Sequence, residues 1–208
     1  ASYVEDAAGD RVEEAAPAYG AAAERLHVSA EEYLRLEAAS SIRHEYVAGE
    51  IFAMSGASLR HNRITGNLFN AISTHVHRGG ACTAFFSDVR LHLEIGDDEF
   101  FYYPDLMVVC GQQDMQDRQT RHPRLLIEVL SPSTQRTDRW EKARNYLQIP
   151  TLEEYVLVLQ DAPYLTFHRR EQAWSPQVAT GRDAVARFQS IDLCVPLRQI
   201  YEGSGIVD

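Results

Sequence analysis

Hydrophobic and polar positions along this chain follow two rhythms, a four-residue one early and a two-residue one later. Between Ser58 and His77, Ile64, Leu68, Ile72 and Val76 recur every four residues, which predicts a long amphipathic helix ended by Gly79-Gly80. Ahead of it, Ser29-Ala30-Glu31-Glu32 forms a capping box, predicting a helix that runs to about Ala39. "GEIFAMS" (49–55) reads as a strand, and "CTAFFSDVRLHLEI" alternates with period two up to a Gly96-Asp97-Asp98 turn. "FFYYPDLMVV" and "PRLLIEVLS" are apolar runs of buried-strand type. A helix is expected over 135–148, stopped at Pro150. "EYVLVLQ" and "YLTFHRRE" flank Asp161-Ala162-Pro163 as a hairpin, with two or three short strands beyond it. Helices followed by strands with one crossover helix predict a mixed α/β fold, a central mixed sheet flanked by helices.

Two carboxylates do not fit this pattern. Glu128 lies inside Leu125-Leu126-Ile127-Glu128-Val129-Leu130, apolar on both faces, where an ionised side chain is costly unless paired, protonated or bound to a cation. A salt bridge to a buried arginine or a wet edge position would also account for it. Asp105 follows Pro104 at the mouth of the apolar run Leu106-Met107-Val108-Val109. The two strands, joined by a polar loop over 112–122, can be sheet neighbours. Two convergent carboxylates with a backbone carbonyl make an oxygen-rich site for Mg²⁺ or Mn²⁺.

Of the 20 basic residues, Lys142 is the one lysine. Arginine-biased coding explains this by chance; a need for a compact, rotatable point charge explains it by chemistry. Lys142 lies 14 residues after Glu128, on the helix that the Ser131–Thr134 turn returns to the sheet, with Tyr146 four residues on and on the same face. An ammonium there could orient a nucleophilic water beside the ion, with Tyr146 orienting the ammonium or simply packing.

The order Pro104-Asp105, Glu128-Val129-Leu130, Lys142 resembles the PD-(D/E)XK nuclease superfamily, the restriction-endonuclease-like fold. More closely, the chain resembles a large bacterial family of restriction-endonuclease-like proteins long labelled a domain of unknown function. The likeness rests on "EYVAGEIFAMSGAS" followed by His61-Asn62, then "YPDLMVV", "LLIEVLSPST" and "EKARNYLQIPTLEEYVLV", spanning Tyr33 to Asp161. It implies a restriction-endonuclease-like core and a Mg²⁺- or Mn²⁺-dependent DNA endonuclease. Asp105 and Glu128 match the metal-binding acids, with the Val129 carbonyl as a further ligand. Glu45 matches an acid contributed before the first strand. The superfamily's usual lysine position, two after the second acid, holds Leu130, and Lys142 on the following helix takes its place.

Other side chains have ordinary readings beside functional ones. His61 is expected to donate to a phosphate or to Glu45, or to be a satisfied half-buried histidine; Ser58 to cap its helix. His44, His75 and His77 are expected at the surface. Arg136, Arg139 and Arg144 could track a phosphate backbone or form a solvated helix face, and Asp88 could project near the site.

Composition then narrows the picture. The net charge of −10 counts against nucleic acid as a simple electrostatic partner, although half of it sits in residues 1–24, where six acids face one arginine. That Ala/Glu-rich stretch is expected to be a flexible or docking arm, with 25–208 as a single domain. Cys82, Cys110 and Cys194 are far apart without a CxxC, which predicts reduced, buried thiols. With no run of membrane-span length and no leader pattern, the expected location is the cytoplasm. Oligomeric state is left open by the sequence, a homodimer being one expectation because nucleases that cut both strands often dimerise. The competing classes are an inactive nuclease-fold module binding DNA or protein, and a metal-dependent hydrolase of small phosphoesters.

Overall fold

The computed structural model describes residues 27–54, 56–112, 118–130 and 138–206. The expected arm over 1–24 and the turn at Ser131–Thr134 lie outside them. Helix α1 (Ala30–Ala39) starts at Ser29, whose hydroxyl accepts from the Glu32 N–H as the capping box requires. Two short strands follow, β1 (His44–Val47) and β2 (Glu50–Ala53), paired antiparallel through Ala48-Gly49. Both turn residues have positive φ, 46° and 99°, the backbone a two-residue hairpin needs, and the His27 ring packs where a Cβ on Gly49 would sit.

Helix α2 (Leu59–Gly79) is capped by Ser58 and ends at Gly80 in the left-handed region; Ile64, Leu68, Ile72 and Val76 are its buried stripe. The alternating stretch divides into β3 (Cys82–Phe86) and β4 (Arg90–Ile95), and the next aromatic run into β5 (Asp98–Tyr102) and β6 (Leu106–Cys110). The latter break falls at Tyr103-Pro104-Asp105, where proline removes a ladder donor. There follow β7 (Gln119–Thr120), β8 (Pro123–Leu130), α3 (Asp138–Tyr146), β9 (Glu154–Leu159) and β10 (Tyr164–Arg169). The chain closes with β11 (Gln177–Thr180), β12 (Val185–Phe188), β13 (Leu193–Pro196) and α4 (Leu197–Ile200).

The strands build two main sheets rather than one central sheet. One has the order β2-β1-β5-β4-β7; the other, β11-β10-β9-β8-β6-β3; β12 and β13 pair apart. Both main sheets are mixed, with β8–β9 and β4–β7 parallel. Helix α2 packs its stripe on one face of the six-stranded sheet, against Leu106, Val108, Leu125, Ile127 and Val129. Each such residue contributes roughly 1.5–3 kcal/mol on burial. The opposite face meets the five-stranded sheet and α3 in a second core containing Tyr102, Met107, Leu126, Leu130 and Tyr146. On the far side of the five-stranded sheet, Tyr33 of α1 stacks with Tyr46 and Phe101. Among the described residues no helix is long and apolar enough to cross a membrane.

The cysteine expectation is corrected. Cys82 and Cys110 form a disulfide and Cys194 is exposed. The two partners are 28 positions apart in sequence but directly opposed across the antiparallel β3–β6 pair. Sequence spacing carried no sign of that register.

Candidate active site

Strand register brings the two unexplained acids together. The β6–β8 pair aligns Leu106 with Ile127, so one further step faces Asp105 with Glu128 at the strand mouth. Ile127 and Val129 point to α2, so alternation turns Glu128 to the face shared with the second sheet and α3. On that second sheet, Val47 faces the same core while Tyr46 faces α1, so Glu45 points inward too. Lys142 and Tyr146 reach the same place from α3.

Lys142 Nζ lies 2.7 Å from Glu45 Oε1 and 3.9 Å from Glu128 Oε1, and 5.6 Å from the centroid of the Tyr102 ring. Glu45 Oε1 also accepts from the Tyr103 N–H at 3.2 Å. The Tyr146 hydroxyl donates to Glu128 Oε1 at 3.0 Å. Asp105 Oδ2 accepts from the Val129 N–H at 2.7 Å and lies 3.2 Å from His61 Nε2. Each carboxylate thus anchors one oxygen, and the structure gives the other no hydrogen-bond partner among the described residues.

Burial pushes Glu128 up to about 7, and Asp105 and Glu45 push the same way; Lys142 and the Tyr146 hydroxyl pull against them. Burial would lower the pKa of His61, but the Asp105 hydrogen bond and charge outweigh it and hold the imidazole above its ordinary value. Burial, then the Glu128 and Glu45 charges, drive the Tyr146 hydroxyl far up, so it keeps its proton and donates.

The structure places the expected residues as follows. Asp105, Glu128, Lys142, Glu45, Val129, His61 and Tyr146 form one contiguous cluster. Glu45 sits within β1, not before the first strand. Tyr146 bonds to Glu128 Oε1, the same oxygen that lies 3.9 Å from Lys142 Nζ. Val129 gives its amide to Asp105, a use the carbonyl assignment did not foresee. His61 reaches Asp105, not Glu45.

His44 is not a surface residue: its Nδ1 lies 3.0 Å from Oε2 of buried Glu37. His75 is half-buried, its Nε2 lying 2.8 Å from the Ile191 carbonyl oxygen. Asp88 is an exposed partner of Arg43, on a bend next to Ser87, whose N–H donates to the Asp105 carbonyl at 3.3 Å. Arg144 is exposed, Arg136 lies outside the described residues, and so does the side chain of Arg139.

The donor set fits a hard divalent cation, since it offers carboxylate oxygens and a backbone carbonyl. Around the ammonium, however, the three carboxylates do not bring ligand atoms within 4.8 Å of one another. Among the described residues His92, Glu94 and Glu99 meet that spacing. That second cluster lies on the α1 side of the five-stranded sheet, where His92 stacks on Phe101, and its charge is already met: Arg121 binds Glu94 and His92 Nε2 lies 3.0 Å from Glu99 Oε1. The alternating His92 and Glu94 of β4 were its sequence signal. Glu37 and Tyr103 carried no signal, because their partners are remote in the chain.

Comparison with known proteins identifies the family and the fold. Residues 30–195 match the family model Uma2, described as "Putative restriction endonuclease". Two uncharacterized proteins of Synechocystis sp. (strain ATCC 27184 / PCC 6803 / Kazusa) are similar. One, slr1290, is 37% identical over 85% of this chain and 92% of its own length; the other, sll1609, is 35% identical over 77% and 92%. Among solved structures, a crystal structure titled as a "putative nuclease belonging to DUF820" from Anabaena variabilis ATCC 29413 superposes with TM-score 0.66 at 21% identity. It covers 82% of this chain and 96% of that one, a likeness that shows the fold. On the match of most of its length, the chain belongs to the Uma2 family of restriction-endonuclease-like proteins.

Proposed function

We propose that this chain is a Mg²⁺- or Mn²⁺-dependent phosphodiesterase that cuts DNA. The observation that carries the reading is that Glu45 of β1 and Glu128 of β8 flank the chain's one lysine, with Asp105 at the mouth of β6 facing Glu128. Asp105, Glu128 and the Val129 carbonyl would hold the ion, with Glu45 beside them. When bound, the ion supplies a water of lowered pKa and neutralises charge developing on a phosphoryl group.

The chain's own residues do the rest. The Val129 amide and His61 hold one oxygen of Asp105, and Tyr146 holds one of Glu128, which leaves the second oxygen of each for the ion. Lys142 occupies the gap between Glu45 and Glu128, where an ammonium can orient the attacking water and meet negative charge on the substrate. Leu130, at the superfamily's usual lysine position, is buried in the inter-sheet core, and the helix supplies the amine instead. Cleavage of both strands of a duplex would call for a second copy of the chain.

The test is Mn²⁺ calorimetry together with nicking of supercoiled plasmid in Mg²⁺ or Mn²⁺ against EDTA. The wild type is expected to bind Mn²⁺ and cut, and Asp105→Ala to do neither at an unchanged melting temperature. Cutting by Asp105→Ala at the wild-type rate would overturn the assignment. A wild type that binds no Mn²⁺ yet shifts DNA in a gel would identify the inactive module instead.

A further inference from the structure

Glu37 is a buried carboxylate on α1, on the opposite side of the five-stranded sheet from the cleft, and the mechanism does not use it. Its side chain is 2% exposed, so its presence needs a reason. Oε1 accepts from the Tyr103 hydroxyl at 2.8 Å and from the His44 N–H at 3.3 Å, and Oε2 lies 3.0 Å from His44 Nδ1.

These partners are not arbitrary. The β1–β5 ladder pairs Tyr46 with Phe101 and Val47 with Phe100, and pairs no residue of β1 beyond Tyr46. Continued in the same register, the next opposed residues would be Glu45 with Tyr102, then His44 with Tyr103. The ladder ends short of both: β5 stops at Tyr102, and the Tyr103 N–H goes to the Glu45 side chain. Glu37 bonds to His44 and Tyr103, the two residues of the second missing rung. His44 immediately precedes Glu45, and Tyr103 stands two before Asp105 while giving its own N–H to Glu45 Oε1. Tyr33, one helical turn before Glu37, donates to the His44 carbonyl at 2.7 Å and fixes the following peptide of the same residue.

We infer that Glu37 is a positioning residue: its carboxylate replaces a backbone rung and sets the distance between the segments that carry Glu45 and Asp105. This rests on the metal reading above. Without the rung, the end of β1 and the 103–105 corner separate, and Glu45 and Asp105 are no longer held at a fixed separation across the proposed ion site. Groups that hold a metal ligand in place typically change affinity by 10–100-fold when removed.

The experiment measures Mn²⁺ affinity by calorimetry on the full chain for wild type, Glu37→Ala, Glu37→Gln and Leu34→Ala. Leu34 packs in the same α1 cluster and has no side-chain donor or acceptor with which to replace the rung. Glu37→Ala is expected to weaken Mn²⁺ binding about 10-fold or more. Glu37→Gln should restore most of it, because its amide oxygen can accept from Tyr103 and the His44 N–H while its NH₂ donates to His44 Nδ1. Leu34→Ala should lower the melting temperature and leave the Mn²⁺ affinity alone.

Equal Mn²⁺ affinity in Glu37→Ala and wild type overturns the inference, as does equal weakening in Glu37→Ala and Leu34→Ala. If Glu37→Ala does not fold, Tyr103→Phe removes one bond of the rung with the ring in place, and a wild-type affinity there overturns it too. Failure of the wild type itself to bind Mn²⁺ would refute the proposed function instead, which separates the two outcomes.

Discussion

Glu128→Gln gives the sharpest test, because it should make the protein more stable while removing its proposed function. Burial raises the folded-state pKa of Glu128 from 4.5 to about 7. A raised acid binds more protons folded than unfolded between those two values. Stability therefore falls as pH rises through that window, and the full cost is present above it. At 1.36 kcal/mol per pH unit this amounts to about 3 kcal/mol as an upper bound, a shift on the order of 6–10 °C for a domain of this size. Glutamine keeps the shape and the oxygen that accepts from Tyr146, and it leaves Lys142 its 2.7 Å contact with Glu45. Urea unfolding in EDTA at pH 5 and pH 8 checks this. The substitution should be near neutral at pH 5, stabilise at pH 8, and abolish Mn²⁺ binding. If Glu128→Gln destabilises equally at both pH values, Glu128 is a structural partner of Lys142 and the reasoning is wrong.

Two further outcomes separate chemistry from scaffolding. Lys142→Met removes the cation lying between Glu45 and Glu128, so calorimetry should show Mn²⁺ binding retained or tightened, while plasmid cleavage is lost; unaltered cleavage would return the lysine to chance. Arg169→Met breaks a buried pair with Glu154, 2.7 Å apart, that also engages Gln177, the Arg187 carbonyl and Ser190. Urea denaturation should show a loss of about 3–5 kcal/mol for that uncompensated charge, with Mn²⁺ affinity of the folded protein unchanged.

The local rules of the chain were legible in sequence because they depend on neighbours. Ser29 and Ser58 cap their helices through residues three positions on, and the stripe from Ile64 to Val76 needs only the helical period. Glu128 was legible for the same kind of reason: an acid in an apolar run is anomalous before any fold is known. Lys142 stood out by its singularity.

What only the tertiary structure decided is whatever depends on register across remote segments. Cys82 and Cys110 are a disulfide because β3 and β6 pair antiparallel at those positions. Tyr146 serves Glu128 because α3 lays its face over β8, and Glu37 bonds Tyr103 because the β1–β5 ladder ends at Tyr46 and Phe101, two rungs before His44 and Tyr103. Helical and strand periods are set by neighbouring residues, whereas strand register and helix docking are set by how whole faces bury against one another. Those are sums over distant pairs, and a linear pattern does not contain them.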